Sequence, residues 1–200
     1  AFCALCVASA QAREPGGYFG VGLGQAKARD LPSSACSLLP TDYYACNVED
    51  TKTAVKIFGG YQFSPYIAAE GTYIYFGDYE GTAISATPGN YPQIYSFEAS
   101  GLSFDAVGTL PITEHFGLLG RVGATFWSVS HPADTYYYSY YSNYSDYDSG
   151  VSADYGVGFE IDFVRSFGLR AEYVEYNDIG KRDIGKSNID VASLSAIFRF

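Results

Sequence analysis

From Tyr18 onward the chain alternates apolar with small or polar residues at every second position, in segments separated by turn formers. A period of two puts successive side chains on opposite faces of a β-strand. Tyr18 to Lys27 is the first such segment, with Phe19, Val21 and Leu23 on one face and Gly20, Gly22 and Gly24 on the other. Thr53 to Phe63 sets Val55, Ile57, Tyr61 and Phe63 against Lys56, Phe58, Gly60 and Gln62. Ile67 to Gly77 sets Ile67, Ala69, Tyr73 and Tyr75 against Ala68, Glu70 and Thr72, and Ser96 to Leu110 sets Leu102, Phe104, Ala106 and Leu110 against Ser103, Asp105 and Thr109. Phe116 to Ser128 opposes Leu118, Val122 and Phe126 to Arg121, Thr125 and Trp127. Ser152 to Phe163 opposes Tyr155, Val157, Phe159, Ile161 and Phe163 to Asp154, Glu160 and Asp162. Leu169 to Asn177 and Asp190 to Phe200 complete a set of eight.

The connections alternate long and short, the short ones lying at Ser64-Pro65-Tyr66, Pro111 to His115 and Arg165-Ser166. Transmembrane barrels have this arrangement, with long external loops and short periplasmic turns. Segments of about 10 residues, when tilted, cross roughly 30 Å of hydrocarbon. A slip of one residue would carry Glu70 or Arg121 into lipid, so the alternation sets the register. Closure removes the open sheet edges that a bilayer does not tolerate. The predicted fold is therefore all-β: an eight-stranded antiparallel up-and-down transmembrane β-barrel. No run of apolar residues is long enough for a transmembrane helix. The mean hydropathy of -0.03 fits a barrel, whose strands average a lipid face and a lumen face.

Composition sharpens this picture. Among 200 residues stand 20 Tyr, 14 Phe and 22 Gly, while charged residues make up only 17%. Soluble domains carry more charge and fewer aromatics. A formal charge of -10 excludes nucleic acid as a partner, because phosphate contacts need a basic surface. Residues 1–12, AFCALCVASAQA, read as the remnant of a secretory signal peptide, with Ala10-Gln11-Ala12 as the cleavage site and the barrel domain running over 13–200. The start of that leader, with its Met and basic region, is expected upstream. Cys3 and Cys6 belong to the leader, and bulky Leu5 before Cys6 argues against a lipoprotein site. Cys36 and Cys46 are then an even pair in an exported protein and read as one disulfide, worth roughly 2–3 kcal/mol for a short loop, with two free thiols or a metal site lacking two further ligands as the alternatives.

At the C-terminus Phe200, Phe198, Ala196, Leu194 and Ala192 recur at every second position. A terminal Phe preceded by such an alternation resembles the signal taken up by the barrel-assembly machinery of Gram-negative bacteria. The stretches GGYFGVGLGQAK, KIFGGYQFSPYIAAEGTY, AVGTLPITEHFGLLGRVGA, YGVGFEIDF and SLSAIFRF occur in that order. Together they resemble the outer-membrane β-barrel family typified by the OmpA transmembrane domain. The resemblance implies a monomeric barrel in the outer membrane of a Gram-negative bacterium, in contact with lipid and lipopolysaccharide, its loops at the cell surface. Members of that family often continue into a periplasmic peptidoglycan-binding domain. The chain stops at the barrel, so tethering to the cell wall is not part of the expectation.

The inward phase carries Lys56, Glu70, Asp105, Arg121, Glu160, Asp162, Arg170, Glu172 and Arg199. The interior of an eight-stranded barrel is just wide enough for side chains to fill, and charges there must be paired. Acids and bases in comparable number permit a ladder of salt bridges, which the family resemblance implies as well. Such a ladder closes the lumen; a gate in which Arg121 or Lys56 exchanges acidic partners is the alternative. The Tyr-rich external loop, with Tyr136, Tyr137, Tyr138, Tyr140, Tyr141, Tyr144 and Tyr147, offers amphipathic contact area for a protein or glycan. The competing account is a hairpin extended above the membrane, with rings near the headgroups.

No cofactor and no metal are expected. Asp42, Glu49, Asp50, Asp134, Asp146 and Asp148 lack EF-hand spacing and read as solvated loop acids. His115 belongs to a short turn, and His131, near Ser128, Ser130 and Asp134, precedes Pro132 at a strand end. Neither makes a convincing catalytic triad. The leading expectation is thus a structural, surface-exposed barrel that is not an enzyme, followed by a small-solute diffusion channel and then a lipid A-modifying enzyme. A soluble lipocalin-like barrel is the rival fold.

Overall fold

The computed structural model describes residues 15–29, 43–85, 93–130, 147–180 and 187–200. Nine strands occur among them: β1 (Gly16–Ala28), β2 (Tyr43–Val48), β3 (Thr51–Ser64), β4 (Ile67–Ser85), β5 (Gln93–Pro111), β6 (Phe116–Ser130), β7 (Tyr147–Val164), β8 (Phe167–Ile179) and β9 (Ser187–Arg199). They pair in the order β2-β4-β3-β1-β9-β8-β7-β6-β5, and a further β4–β5 pairing closes the ring. Every pairing is antiparallel. Eight strands thus form a closed barrel, and β2 pairs with the external end of β4, beyond the stretch of β4 that pairs with β3.

Alternation decides which face each residue takes. Outward-pointing Leu23 and Val157 are 63% and 65% exposed, and Val21, Val55, Ile57, Phe63, Phe104, Val122 and Phe126 share that face. So continuous an apolar surface is unstable in water and matches a lipid boundary. On the periplasmic side it ends in a band of rings. Phe198 stacks on Phe19 at 5.2 Å and lies 5.2 Å from Phe167, which in turn stacks on Phe163 at 6.0 Å. This band spans the seam where the first and last strands meet, with Tyr18 opposite Arg199. The Phe200 amide adds a hydrogen bond to the Gly17 carbonyl at 3.0 Å.

The short turns are as expected. Ser64 and Ile67 flank the first, and Val164 and Phe167 flank the third. In the second, the Thr113 hydroxyl oxygen accepts from the His115 and Phe116 amides at 3.3 and 3.0 Å. Both bonds use backbone amides and close the turn in which His115 lies. The external side departs from expectation. The long polar loop predicted after Gly77 is instead a continuation of β4 and β5, paired as far as Ala83 and Gln93. β2 falls inside another predicted loop and adds a ninth strand to the expected eight.

Gly77 explains why the first extension escapes a period-two reading. It adopts φ +102 inside a β-bulge between Tyr75 and Gly77. A bulge adds one residue and shifts the phase. Phe76 points inward, Asp78 outward and Tyr79 inward again. A strict alternation therefore breaks at Gly77 although the strand continues.

Candidate functional site: the layered barrel interior

Small residues make room for the interior. A Cβ at Gly20 would collide with the Phe58 ring, and one at Gly22 with the Ser195 hydroxyl and, at 3.1 Å, with the Lys56 side chain. The inward glycines of β1 are thus the floor across which Phe58 and Lys56 lie. On that floor, charged residues from β3 to β9 meet at mid-height.

Arg121 on β6 is the hub. Its guanidinium donates to Glu70 at 3.3 Å, to Glu172 at 3.4 Å, to the Thr72 hydroxyl at 3.3 Å, and also to Asp105. Arg170 on β8 donates to Glu70 and to Glu160, both at 2.6 Å. Lys56 pairs with Glu172. Tyr18 donates to Glu70 at 2.9 Å. Towards the periplasm, Arg199 continues the ladder to Glu160 at 2.7 Å and Asp162 at 2.6 Å. Arg170 also lies over the rings of Phe58 at 4.9 Å and Tyr18 at 5.6 Å, where a cation meets the negative face of the ring. Side chains of Lys56, Glu70, Arg121, Arg170 and Glu172 are at most 3% exposed. Charges so deeply buried survive only with several partners each.

All nine sequence-predicted lumen charges therefore point inward, and the structure joins them into one network. Four participants lie outside that set: Asp154, Thr125, Thr72 and Tyr18. Asp154 is fully buried and accepts from Thr125 at 2.6 Å, while Thr72 and Tyr18 add hydroxyls. Asp154 shares the face of Glu160, so its alternation was the available signal. The hydroxyls carried no charge to mark them.

Apolar side chains cap the network on the external side and pack beside it towards the periplasm. On the external side Ile74, Phe76, Tyr79, Trp127, Val174, Tyr176, Ile189 and Val191 form one buried cluster together with Val129, Ile179 and four alanines. Trp127 is anchored there by donating to Ser152 at 2.9 Å, and Phe76 meets Tyr176 edge-on at 5.0 Å. On the periplasmic side Tyr18, Phe58, Ala68, Val107, Leu119 and Ile197 form a second. The interior is thus apolar on the external side and ionic from mid-barrel to the periplasmic end, where Arg199 and Asp162 carry the ladder past the second cluster.

A separate ionic group marks the outer rim. Arg29, 44% exposed, pairs with Asp190 and with Glu175 at 3.2 Å, and donates to the Tyr173 hydroxyl at 3.3 Å. Tyr173 and Asp190 hold the guanidinium above its ordinary pKa.

Several predicted features lie outside the described residues: the leader at 1–12, Cys36, His131 and the tyrosines from Tyr136 to Tyr144. Tyr147 opens β7, and Cys46 lies in β2 opposite Ala83. Phe198 and Phe200 stand at the periplasmic end of the seam. No group of three or more metal-ligating side chains occurs among the described residues.

Comparison with known proteins places this geometry in context. The sequence model of the OmpA-like transmembrane domain matches residues 13–200. Outer membrane protein A of Shigella flexneri is 26% identical over 201 residues, covering 97% of this chain and 51% of that protein. The chain spans about half the length, or less, of such relatives. Among solved structures, Neisserial surface protein A superposes with a TM-score of 0.63 at 12% identity, covering 92% of this chain and 97% of that one. The Yersinia pestis attachment invasion locus protein Ail gives 0.53 at 15% identity, covering 94% and 99%. These structural likenesses concern the fold.

Proposed function

This chain belongs to the OmpA-like transmembrane domain family and resides in the outer membrane of a Gram-negative bacterium, and on that premise we propose that it serves as a structural and surface-contact barrel whose lumen is closed to solutes. The observation that carries the closed lumen is the layering. An ion crossing the barrel would have to leave water, pass the cluster around Phe76, Trp127 and Tyr176, and then displace a paired charge. An unpaired charge in such surroundings costs several kcal/mol. Eight strands leave an interior that side chains fill.

In this reading the contact role belongs to the external side. The β4–β5 hairpin and β2 project there, and Tyr136, Tyr137, Tyr138, Tyr140, Tyr141, Tyr144 and Tyr147 add amphipathic rings suited to a protein or glycan surface. Lipopolysaccharide is the partner at the outer rim, and the barrel-assembly machinery engages the Phe198 and Phe200 end during biogenesis. The Cys36–Cys46 disulfide would staple the loop between β1 and β2.

A narrow gated pore is the second reading. It is favoured by one feature: Arg121 contacts three carboxylates at once and has alternative partners for a rearrangement. Solute uptake by vesicles containing the refolded barrel separates the two. The proposed function predicts uptake of small sugars and amino acids no faster than in protein-free vesicles. Uptake that scales with the amount of folded barrel would replace it with the pore.

A further inference from the structure

The buried charge layer does not balance. Glu70, Asp105, Asp154, Glu160, Asp162 and Glu172 give six formal negative charges, and Lys56, Arg121, Arg170 and Arg199 give four positive. The surplus is not spread evenly. Glu70, Glu160 and Glu172 each meet at least two cations, and Asp162 meets Arg199. Asp105 has Arg121 on Oδ2, while its Oδ1 is buried with no hydrogen-bond partner. Asp154 has the Thr125 hydroxyl on Oδ2, and its Oδ1 is likewise buried without a partner.

These two carboxyl groups are neighbours. Gly123 on β6 pairs with Asp105 on β5 and with Asp154 on β7, and all three face the lumen at one level. A Cβ on Gly123 would collide with Asp105 Oδ1, so that oxygen lies over the glycine, on the side facing β7. A fully buried hydroxyl, Ser103 Oγ, is also without a partner one inward position above Asp105 and opposite Thr125. The other groups around the pair are Arg121 from β6, Glu70 and Thr72 from β4, Glu172 and Tyr176 from β8, and Lys56 across the lumen. None supplies a second cation to either free oxygen among the described residues.

Two buried acceptors side by side, with surplus negative charge and an apolar roof, need a positive species between them. Like-charged carboxyls in one site do not both ionise; one retains a proton. We infer that Asp105 and Asp154 form a buried proton-binding site over Gly123, in which one carboxylic acid hydrogen-bonds to the other carboxylate. A proton satisfies both free oxygens without further ligands, whereas a metal ion would need several more. Arg121 holds the far oxygen of Asp105 and Thr125 the far oxygen of Asp154, so the proton is shared between the two free oxygens and belongs to the pair.

The sign of the linkage follows. The folded barrel holds a proton that the unfolded chain, whose ordinary aspartates ionise near about pH 4, has already released at higher pH. Stability therefore falls as pH rises, until the folded pair itself gives up the proton. One proton changes the folding equilibrium constant by about tenfold per pH unit over that window.

The experiment is urea unfolding of the full barrel in lipid vesicles from about pH 4 to 10, comparing the unaltered protein with Asp154→Asn. Asparagine accepts from Thr125 and donates to Asp105 permanently. The variant should fold as well as the parent at neutral pH, or better, and lose the tenfold-per-unit fall in its folding equilibrium constant. An equal pH dependence in both, or a variant more than tenfold less stable at neutral pH, overturns the site. So does a parent whose stability rises with added sodium, magnesium or calcium at constant ionic strength while Asp154→Asn does not respond, since the occupant is then a metal ion. Infrared spectra of the unaltered barrel provide a test that needs no variant: a carboxylic-acid carbonyl band at neutral pH that disappears at alkaline pH supports the proton, and its absence refutes it.

Discussion

Arg121 shows how one residue can hold a barrel together from inside. Its guanidinium joins carboxylates on β4, β5 and β8, strands that are not all neighbours in the wall. Arg121→Ala would leave those acids buried with fewer cations, and breaking a buried network from one side costs about 3–5 kcal/mol. Urea unfolding in vesicles should show a loss of that size, and a change below about 1 kcal/mol would mean the acids find other partners. Gly77 makes the complementary backbone case. At φ +102, with Lys52 Cβ 2.8 Å and the Thr53 carbonyl 3.1 Å from any added methyl, Gly77→Ala should destabilise by roughly 1–3 kcal/mol. At this scale the charges were legible in the sequence, because a Lys, Glu or Arg on alternate positions opposite Phe and Val can only face the lumen. The apolar partners were not. Ile74, Phe76, Val174 and Val191 sit in the same phase as the charges, where an apolar residue looks like a lapse in the pattern rather than part of a core.

Strands behave as units wherever neighbours seal them. The β1–β9 seam is paired from Tyr18–Arg199 to Ala28–Ile189 and is covered by Phe19, Phe167 and Phe198 on its lipid face. Phe198→Ala removes two ring contacts, each worth about 0.5–1.5 kcal/mol beyond the area buried. Amide exchange should then rise along β1 and β9 and stay unchanged along β5 and β6; a uniform rise would show that the seam is no weaker than the rest. Strand existence and facing were readable from alternation throughout the wall. Strand ends were not: β4 runs past its bulge, β7 begins at Tyr147, and β2 sits within a stretch dominated by turn formers and acids. Pairing with a long neighbour, rather than local pattern, extends the strands there. The outward apolar face predicts that the folded barrel partitions with membranes and shows the gel-mobility shift on boiling typical of intact barrels.

For the whole molecule the order of layers is the central point. An apolar cluster around Trp127 caps an ionic network whose members each have partners on other strands, and a second cluster around Phe58 packs beside that network. The wall supplies the lipid fit and the interior supplies the rigidity, leaving the external side free to vary. Single-channel recording of refolded protein in planar bilayers, with folding checked by the mobility shift, tests this most directly. A folded barrel that gives no conductance steps above the bare bilayer is the predicted result. Reproducible steps that change size or frequency in Arg121→Ala would contradict it, and would make the ionic layer a gate instead of a seal.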